Sequence, residues 1–284
     1  MSAQSKIQNP KSKIKRWPAF EVAMLVCGII FVLPCLLAIL NAFKTNSQII
    51  ESPLALPTSV NLSNFRYIFQ QLKVVGLMIN TLLMCVLVIT SLVIVGSMAA
   101  YSLTRRRMLT GSALRIFFLA GLTIPFQIIM IPLLKEFGLL GINQTYLALF
   151  LHHVSWGLPL CIFIYSAFMM TIPKELEEAA AIDGCGQVEV FWRIVFPLLR
   201  PCTITIIIFW GLWIWNDFMQ AFIVMGPDRG KLVFVQLWKL VNNPKFDDRG
   251  RMFAGVVVLS APVTVLYILM QRQFVKGLTA GSGK

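Results

Sequence analysis

Six stretches long enough to cross a lipid bilayer limit what this chain can fold into. They lie at about 20–43, 74–104, 113–134, 146–171, 201–224 and 252–271. A helix spanning the hydrocarbon core needs about 20 mostly apolar residues, and it must satisfy its backbone polar groups internally. Positions 22–43 carry no charge over 22 residues and lack a small-residue cleavage site, so this run reads as a spanning helix rather than a signal peptide. Positions 74–104 are uncharged over 31 residues, enough for a long or tilted helix. The predicted fold class is an all-α membrane protein with six transmembrane helices. Pro34, Pro262, and Gly157 with Pro159 are expected to bend their spans, and Pro125 and Pro132 to interrupt the third. A short outer helix is expected at 62–70.

Composition supports a membrane protein and argues against other classes. Hydrophobic residues make up 57% of the chain and charged residues 13%, outside the range of soluble globular domains. The net charge of +13 comes from basic residues that flank apolar runs, which suits a lipid bilayer with anionic headgroups. A nucleic-acid binder would instead gather such charge on a polar face, so no nucleic-acid partner is expected. The six cysteines show no C-x-x-C spacing and read as small buried hydrophobes, with no metal site. No H-E-x-x-H or nucleophile elbow occurs, so no catalytic centre is expected. The segment from Gly226 to Leu232 faintly resembles a phosphate loop, but it has three residues between glycines instead of four and no Ser or Thr after Lys231. This chain therefore has no ATP site of its own.

Fifteen Lys and Arg residues fall on the side of the N-terminus and ten on the other, which places both termini in the cytoplasm. The chain divides into a basic tail at 1–18, one transmembrane domain at 19–275 and a tail at 276–284. One segment, 173–199, is polar and helix-forming yet set between spans. Pro173 suits a first helical position, and Glu175, Glu177 and Glu178 crowd the first turns, where the helix dipole favours negative charge. Gly184 stops that helix. A second helical pattern follows in Val188, Phe191, Ile194 and Val195, closed by Pro197 and Pro201.

Glu178-Ala179-Ala180, three residues, Gly184, nine residues, then Ile194-x-Phe196-Pro197 resembles the EAA loop of ABC-importer permeases. Ile182-Asp183-Gly184 and the run from Phe191 to Leu198 resemble the carbohydrate, maltose-type branch, although Phe196 stands where Leu is common and Cys185 where Ala is common. The ending from Gln271 to Gly281 is similar to the C-terminus of one of the two maltose-type permeases, with Ser282-Gly283-Lys284 replacing the usual closing residues. The resemblance implies a type I ABC importer permease fold, with 173–199 as a cytoplasmic coupling segment seated in a cleft of an ATP-binding subunit. The residues it marks for coupling are Glu178, Ala179, Ala180, Asp183, Gly184, Ile194 and Pro197. It implies four kinds of partner: a second, non-identical permease, two copies of an ATP-binding subunit, an extracytoplasmic solute-binding protein and the bilayer. ATP and Mg would be held by those ATP-binding subunits. The localisation implied is a bacterial or archaeal cytoplasmic membrane.

Trp210, Trp213 and Asp217 recur at helical spacing, so one face would present two indoles and a carboxylate. Aromatic planes beside a hydrogen-bonding group suit a sugar ring, which makes Trp210, Trp213, Asn216 and Asp217 candidate pathway residues. The alternative for the tryptophans is an interfacial belt, with Asp217 near the outer boundary. His152 and His153 point about 100° apart on one helix and read as an interfacial polar pair. The function implied is import of a di- or oligosaccharide by alternating access. An ion-coupled secondary transporter and an ABC permease for a solute such as glycerophosphate remain as alternatives.

Overall fold

The computed structural model describes residues 18–105, 111–243 and 248–280. The tail at 1–17, Arg106 and Arg107, and Ser282-Gly283-Lys284 lie outside the described residues. Every regular element among the described residues is helical. In order these are α1 (Pro18–Ala42), α2 (Asn46–Glu51), α3 (Ser63–Gln71), α4 (Val74–Arg105), α5 (Gly111–Gly121), α6 (Phe126–Leu139) and α7 (Tyr146–Met169). There follow α8 (Glu175–Ile182), α9 (Gln187–Val190), a π-helical turn (Phe191–Val195), α10 (Phe196–Leu198) and α11 (Arg200–Trp215). The chain then forms α12 (Met219–Arg229), α13 (Val233–Val241) and α14 (Arg249–Ala280). Among the described residues, four single helices are long and apolar enough to cross a membrane: Phe20–Ala42, Val74–Arg105, Tyr146–Met169 and Arg249–Leu269.

The span at 113–134 is interrupted at Pro125 as expected, although Pro132 lies inside α6 without ending it, and the span expected to run through 201–224 is broken rather than continuous. Pro125 has extended backbone and drives Ile124 out of helical space, so α5 and α6 are separate helices. The second break falls at Asn216 and Asp217, between α11 and α12. The closing tail also differs from expectation, because α14 continues unbroken to Ala280.

The core is the crossing of α4, α7 and α11. Leu92, Tyr165, Met169 and Ile206 are fully buried there. Tyr165 and Thr203 share a hydroxyl hydrogen bond of 3.0 Å between α7 and α11. Two glycines set how close α4 and α7 come. A Cβ on Gly96 would stand 2.9 Å from the Cβ of Cys161, and one on Gly157 would stand 2.8 Å from both Leu92 methyls. Between apolar helices in lipid, such small residues permit the close van der Waals packing that holds spans together. By contrast α1 packs on α14 and leaves Phe20, Ile29 and Phe31 more than three-fifths exposed, a lipid- or subunit-facing surface.

At the end of the bundle where α1 finishes and α4 begins, short elements make a cap. Lys44 is 1% exposed, and its ammonium donates to the carbonyls of Ser52 (3.0 Å) and Pro53 (3.2 Å). Asn64 donates to the carbonyls of Ala42 and Lys44, pinning α3 to the end of α1. The stretch 226–251 is polar in sequence, yet it contains α13, which buries Val233, Val235, Leu237 and Leu240. The Thr81 hydroxyl accepts from the Val233 amide at 3.1 Å, which seats α13 on the start of α4.

Candidate functional site

At the opposite end of the bundle, α8 and α9 form the corner that follows α7. Lys174 is the N-cap of α8 and Pro173 precedes it, so the proline sits before the helix rather than at its first position. The α8 helix ends in a Schellman arrangement: the Gly184 amide donates to Ala181 O and the Cys185 amide to Ala180 O. Gly184 has φ +87°, in the left-handed region that glycine occupies without a Cβ penalty. Pro197 and Pro201 open α10 and α11 instead of closing the preceding helix, as suits residues whose missing N–H would be unpaired in a first turn. The paired segments 187–198 and 200–215 meet at 73°.

The corner projects outward. Glu178, Ala179, Asp183 and Gly184 are exposed, whereas Ala180 is buried against the rest of the loop. Ile182 is 87% exposed and Val188 70%, unusual for apolar side chains outside a membrane-spanning segment. Ile194 and Pro197 lie in the second arm, Ile194 partly buried against the core and Pro197 exposed. Glu177 turns inward: Tyr101 Oη donates to its Oε2 at 2.9 Å, and Arg105 Nε lies 2.6 Å from its Oε1, an ion contact rather than an aligned hydrogen bond.

The pathway residues divide differently from expectation. Helix α11 ends at Trp215: Leu212 O accepts from both the amide and the side chain of Asn216 (3.1 and 2.7 Å), the Asp217 amide turns back to Ile214 O, and Asp217 caps the next helix. Its carboxylate accepts from the amides of Gln220 (3.1 Å) and Ala221 (2.9 Å), the free donors of the first turn of α12. Asn and Asp compete with the backbone in this way, favouring helix ends over helix interiors. Trp210 is 2% exposed in the core while Trp213 is 45% exposed, so the two indoles and the carboxylate do not share one face. Trp213, Asn216 and Asp217 do meet, with Phe209, Leu212, Phe218 and Met219, around an open hollow of about 610 Å³. Trp210 is not part of that lining.

His152 and His153 are buried at 3% and 1% exposure, not an interfacial pair. His153 Nε2 lies 3.5 Å from Asp217 Oδ2, and His152 packs against Phe126 at 4.9 Å between ring centres. The α7 helix thus supplies the partner that holds the carboxylate at the break.

Residues 92–279 match the family described as "Binding-protein-dependent transport system inner membrane component". The chain belongs to this family. This inner-membrane component is 31% identical over 261 residues to a probable starch degradation products transport system permease protein of Thermoanaerobacterium thermosulfurigenes, covering 92% of this chain and 94% of that one. It is 32% identical over 230 residues to the melibiose/raffinose/stachyose import permease protein of Bacillus subtilis, covering 80% and 83% of the two chains. In fold it is similar to a chain in the crystal structure of a bacterial ABC transporter involved in the import of the acidic polysaccharide alginate, with TM-score 0.79, 18% identity and coverage of 90% and 95%. The permease is therefore a multi-pass subunit of a binding-protein-dependent transport system and not an enzyme, which answers the ion-coupled alternative.

Sequence reasoning missed three features of this site: the inward grip on Glu177, the His153 neighbour of Asp217, and the break itself. The pairing Asn216-Asp217, two good caps in succession, was the available signal for the break. Asp217→Ala removes a cap for two amides and leaves His153 without its partner, so it is expected to destabilise the permease by about 1–2 kcal/mol. Asp217→Asn keeps one acceptor and should cost less. Thermal denaturation of both purified variants checks the order, and equal losses would remove the capping role.

Proposed function

We propose that this permease forms half of the translocation pathway of an ATP-driven carbohydrate importer and docks its ATPase through the α8–α9 corner. The observation that carries the docking is the corner itself: exposed Ile182 and Val188 flanking a φ-positive Gly184, with the Glu178 carboxylate exposed on the same helix. An apolar patch beside exposed carboxylates fits the cleft of a partner better than it fits water. Glu178 would meet a basic group there, and Ala179, Asp183 and Gly184 would give close backbone approach. Ile194 and Pro197 would set the second arm.

Carbohydrate as cargo is supported by the relatives named for starch degradation products and for melibiose, raffinose and stachyose. A di- or oligosaccharide would pass the hollow where the Trp213 indole and Asn216 amide lie together, a stacking plane beside a hydrogen-bonding group. Asp217 would act there mainly by holding the break in shape, since its side chain is 7% exposed. A second, non-identical permease would close the pathway, an extracytoplasmic binding protein would deliver the sugar, and two ATP-binding subunits would hold ATP and Mg. Both termini would lie in the cytoplasm of a bacterial or archaeal cell, putting the corner where those subunits reach it.

Gentle purification from the native membrane, with mass spectrometry of what comes with the chain, tests this. Recovery of an ATP-binding subunit and a second permease is expected, and uptake should depend on ATP and not on an ion gradient. Recovery of the chain alone under conditions that keep other membrane complexes whole would overturn the reading.

A further inference from the structure

We infer that Tyr101 and Arg105, at the last turn of α4, form a strut that carries motion of the docking corner into the core of the bundle. The two residues are four apart and so share one face of the helix. From that face they reach both arms of the corner. Tyr101 Oη donates to Glu177 Oε2 (2.9 Å) in α8, while its ring lies 5.1 Å from the ring of Phe191 in the second arm. Arg105 Nε meets Glu177 Oε1 at 2.6 Å, and Arg105 Nη2 donates to Ile172 O (2.8 Å) in the link between α7 and α8. The link, the first arm and the second arm are thereby held on a single helix end.

Burial gives the strut its stiffness. Arg105 and Glu177 side chains are 10% and 14% exposed, so water screens their attraction little and separating them leaves two poorly solvated charges. The same α4 helix crosses α7 at Gly96 and Gly157, where Cys161 and the Leu92 side chain pack directly onto glycine backbone and couple the two helices. A push on α8 therefore moves α4, and with it the α4–α7–α11 core. Tyr101, Arg105 and Glu177 act as positioning residues. None of them is exposed enough to be the docking surface, which belongs to Glu178, Ile182 and Val188 on the outer face.

The inference rests on the docking reading above, and its test separates the two. Spin labels are placed at Glu175 in α8 and Met98 in α4, both exposed, with Cys27 and Cys35 changed to Ser and Cys185 to Ala. The assembled complex is then measured without nucleotide and with ATP plus EDTA. In the native background the label separation should stay put on ATP addition, because α8 and α4 move together. With Glu177→Gln or Arg105→Gln it should shift, the ATP-binding subunit still being retained. The swap Arg105→Glu with Glu177→Arg should restore the native response, and Tyr101→Phe should give a smaller shift. Tyr101→Phe keeps the test alive if loss of a charge prevents assembly. Identical behaviour of native and variant complexes would overturn the strut. Release of the ATP-binding subunit by Glu177→Gln would overturn it in favour of a docking contact, whereas absence of that subunit from the native complex would overturn the docking reading itself.

Discussion

Gly184→Trp is expected to strip the ATP-binding subunit from the purified permease and abolish uptake. The structure separates the two ways in which a side chain here does harm. Gly184 sits at φ +87°, so any Cβ costs about 1–2 kcal/mol of backbone strain. The space around it is open at the Cβ position, with no atom within 4 Å, and the residue lies on the exposed face of the corner. Gly184→Ala and Gly184→Trp share the backbone strain, and thermal denaturation of the two isolated variants checks that they match. A further loss of binding with Trp is then the docked partner's. A central interface position carries roughly 2 kcal/mol or more, so docking should weaken at least about 30-fold beyond the alanine variant. Titration of the ATP-binding subunit onto permease variants in nanodiscs measures this. Equal binding by Ala and Trp variants would remove the corner as the docking point.

Gly96→Val should produce a large loss of stability at the crossing of α4 and α7. The new Cβ would lie 2.9 Å from the Cβ of Cys161, a position fixed by the α7 backbone and unable to rotate away. Overpacking of this kind costs about 1–3 kcal/mol, and in a chain of this size each kcal/mol lowers Tm by roughly 2–4 °C. Gly157→Val should behave similarly, since its neighbours are both Leu92 methyls and, at 3.1 Å, the Trp210 ring. Gly28→Val in α1 is the control, because nothing lies within 4 Å of it. A thermal aggregation assay in detergent should find the Gly28 variant near native and the other two about 5–10 °C lower. Matching curves for all three would mean that α4 and α7 do not cross this closely.

Much of the α8–α9 corner was readable before folding because its determinants are local. An acidic first turn, an alanine-rich body and a glycine four residues past the last alanine of the Glu-Ala-Ala motif specify a helix and its stop within one dozen positions, and the Schellman bonds to Ala180 and Ala181 are the result. The pathway residues were less readable because periodicity assumes an unbroken helix. Trp210, Trp213 and Asp217 fit one face only if α11 continues, and it ends at Trp215. Two adjacent capping residues overrode the apolar pattern, which placed Trp213 with Asn216 and Asp217 at a hollow and left Trp210 in the core. Hydropathy alone likewise gives no sign of α13, a nine-residue amphipathic helix too short to span a bilayer.

The sequence by itself determined that this is an all-helical membrane protein and that a polar helix with a glycine corner lies between its spans. Those properties follow from runs of side chains whose cost of transfer to water or lipid is additive along the chain. Only the tertiary structure decided that His153 faces Asp217 and that Tyr101 and Arg105 grip Glu177. Tyr101 and Glu177 are 76 positions apart, and their meeting depends on the crossing of α4 with α7 that Gly96 and Gly157 permit. A buried polar or charged group is tolerated only where hydrogen-bond partners or an opposite charge arrive, and the packing of whole helices sets where that happens.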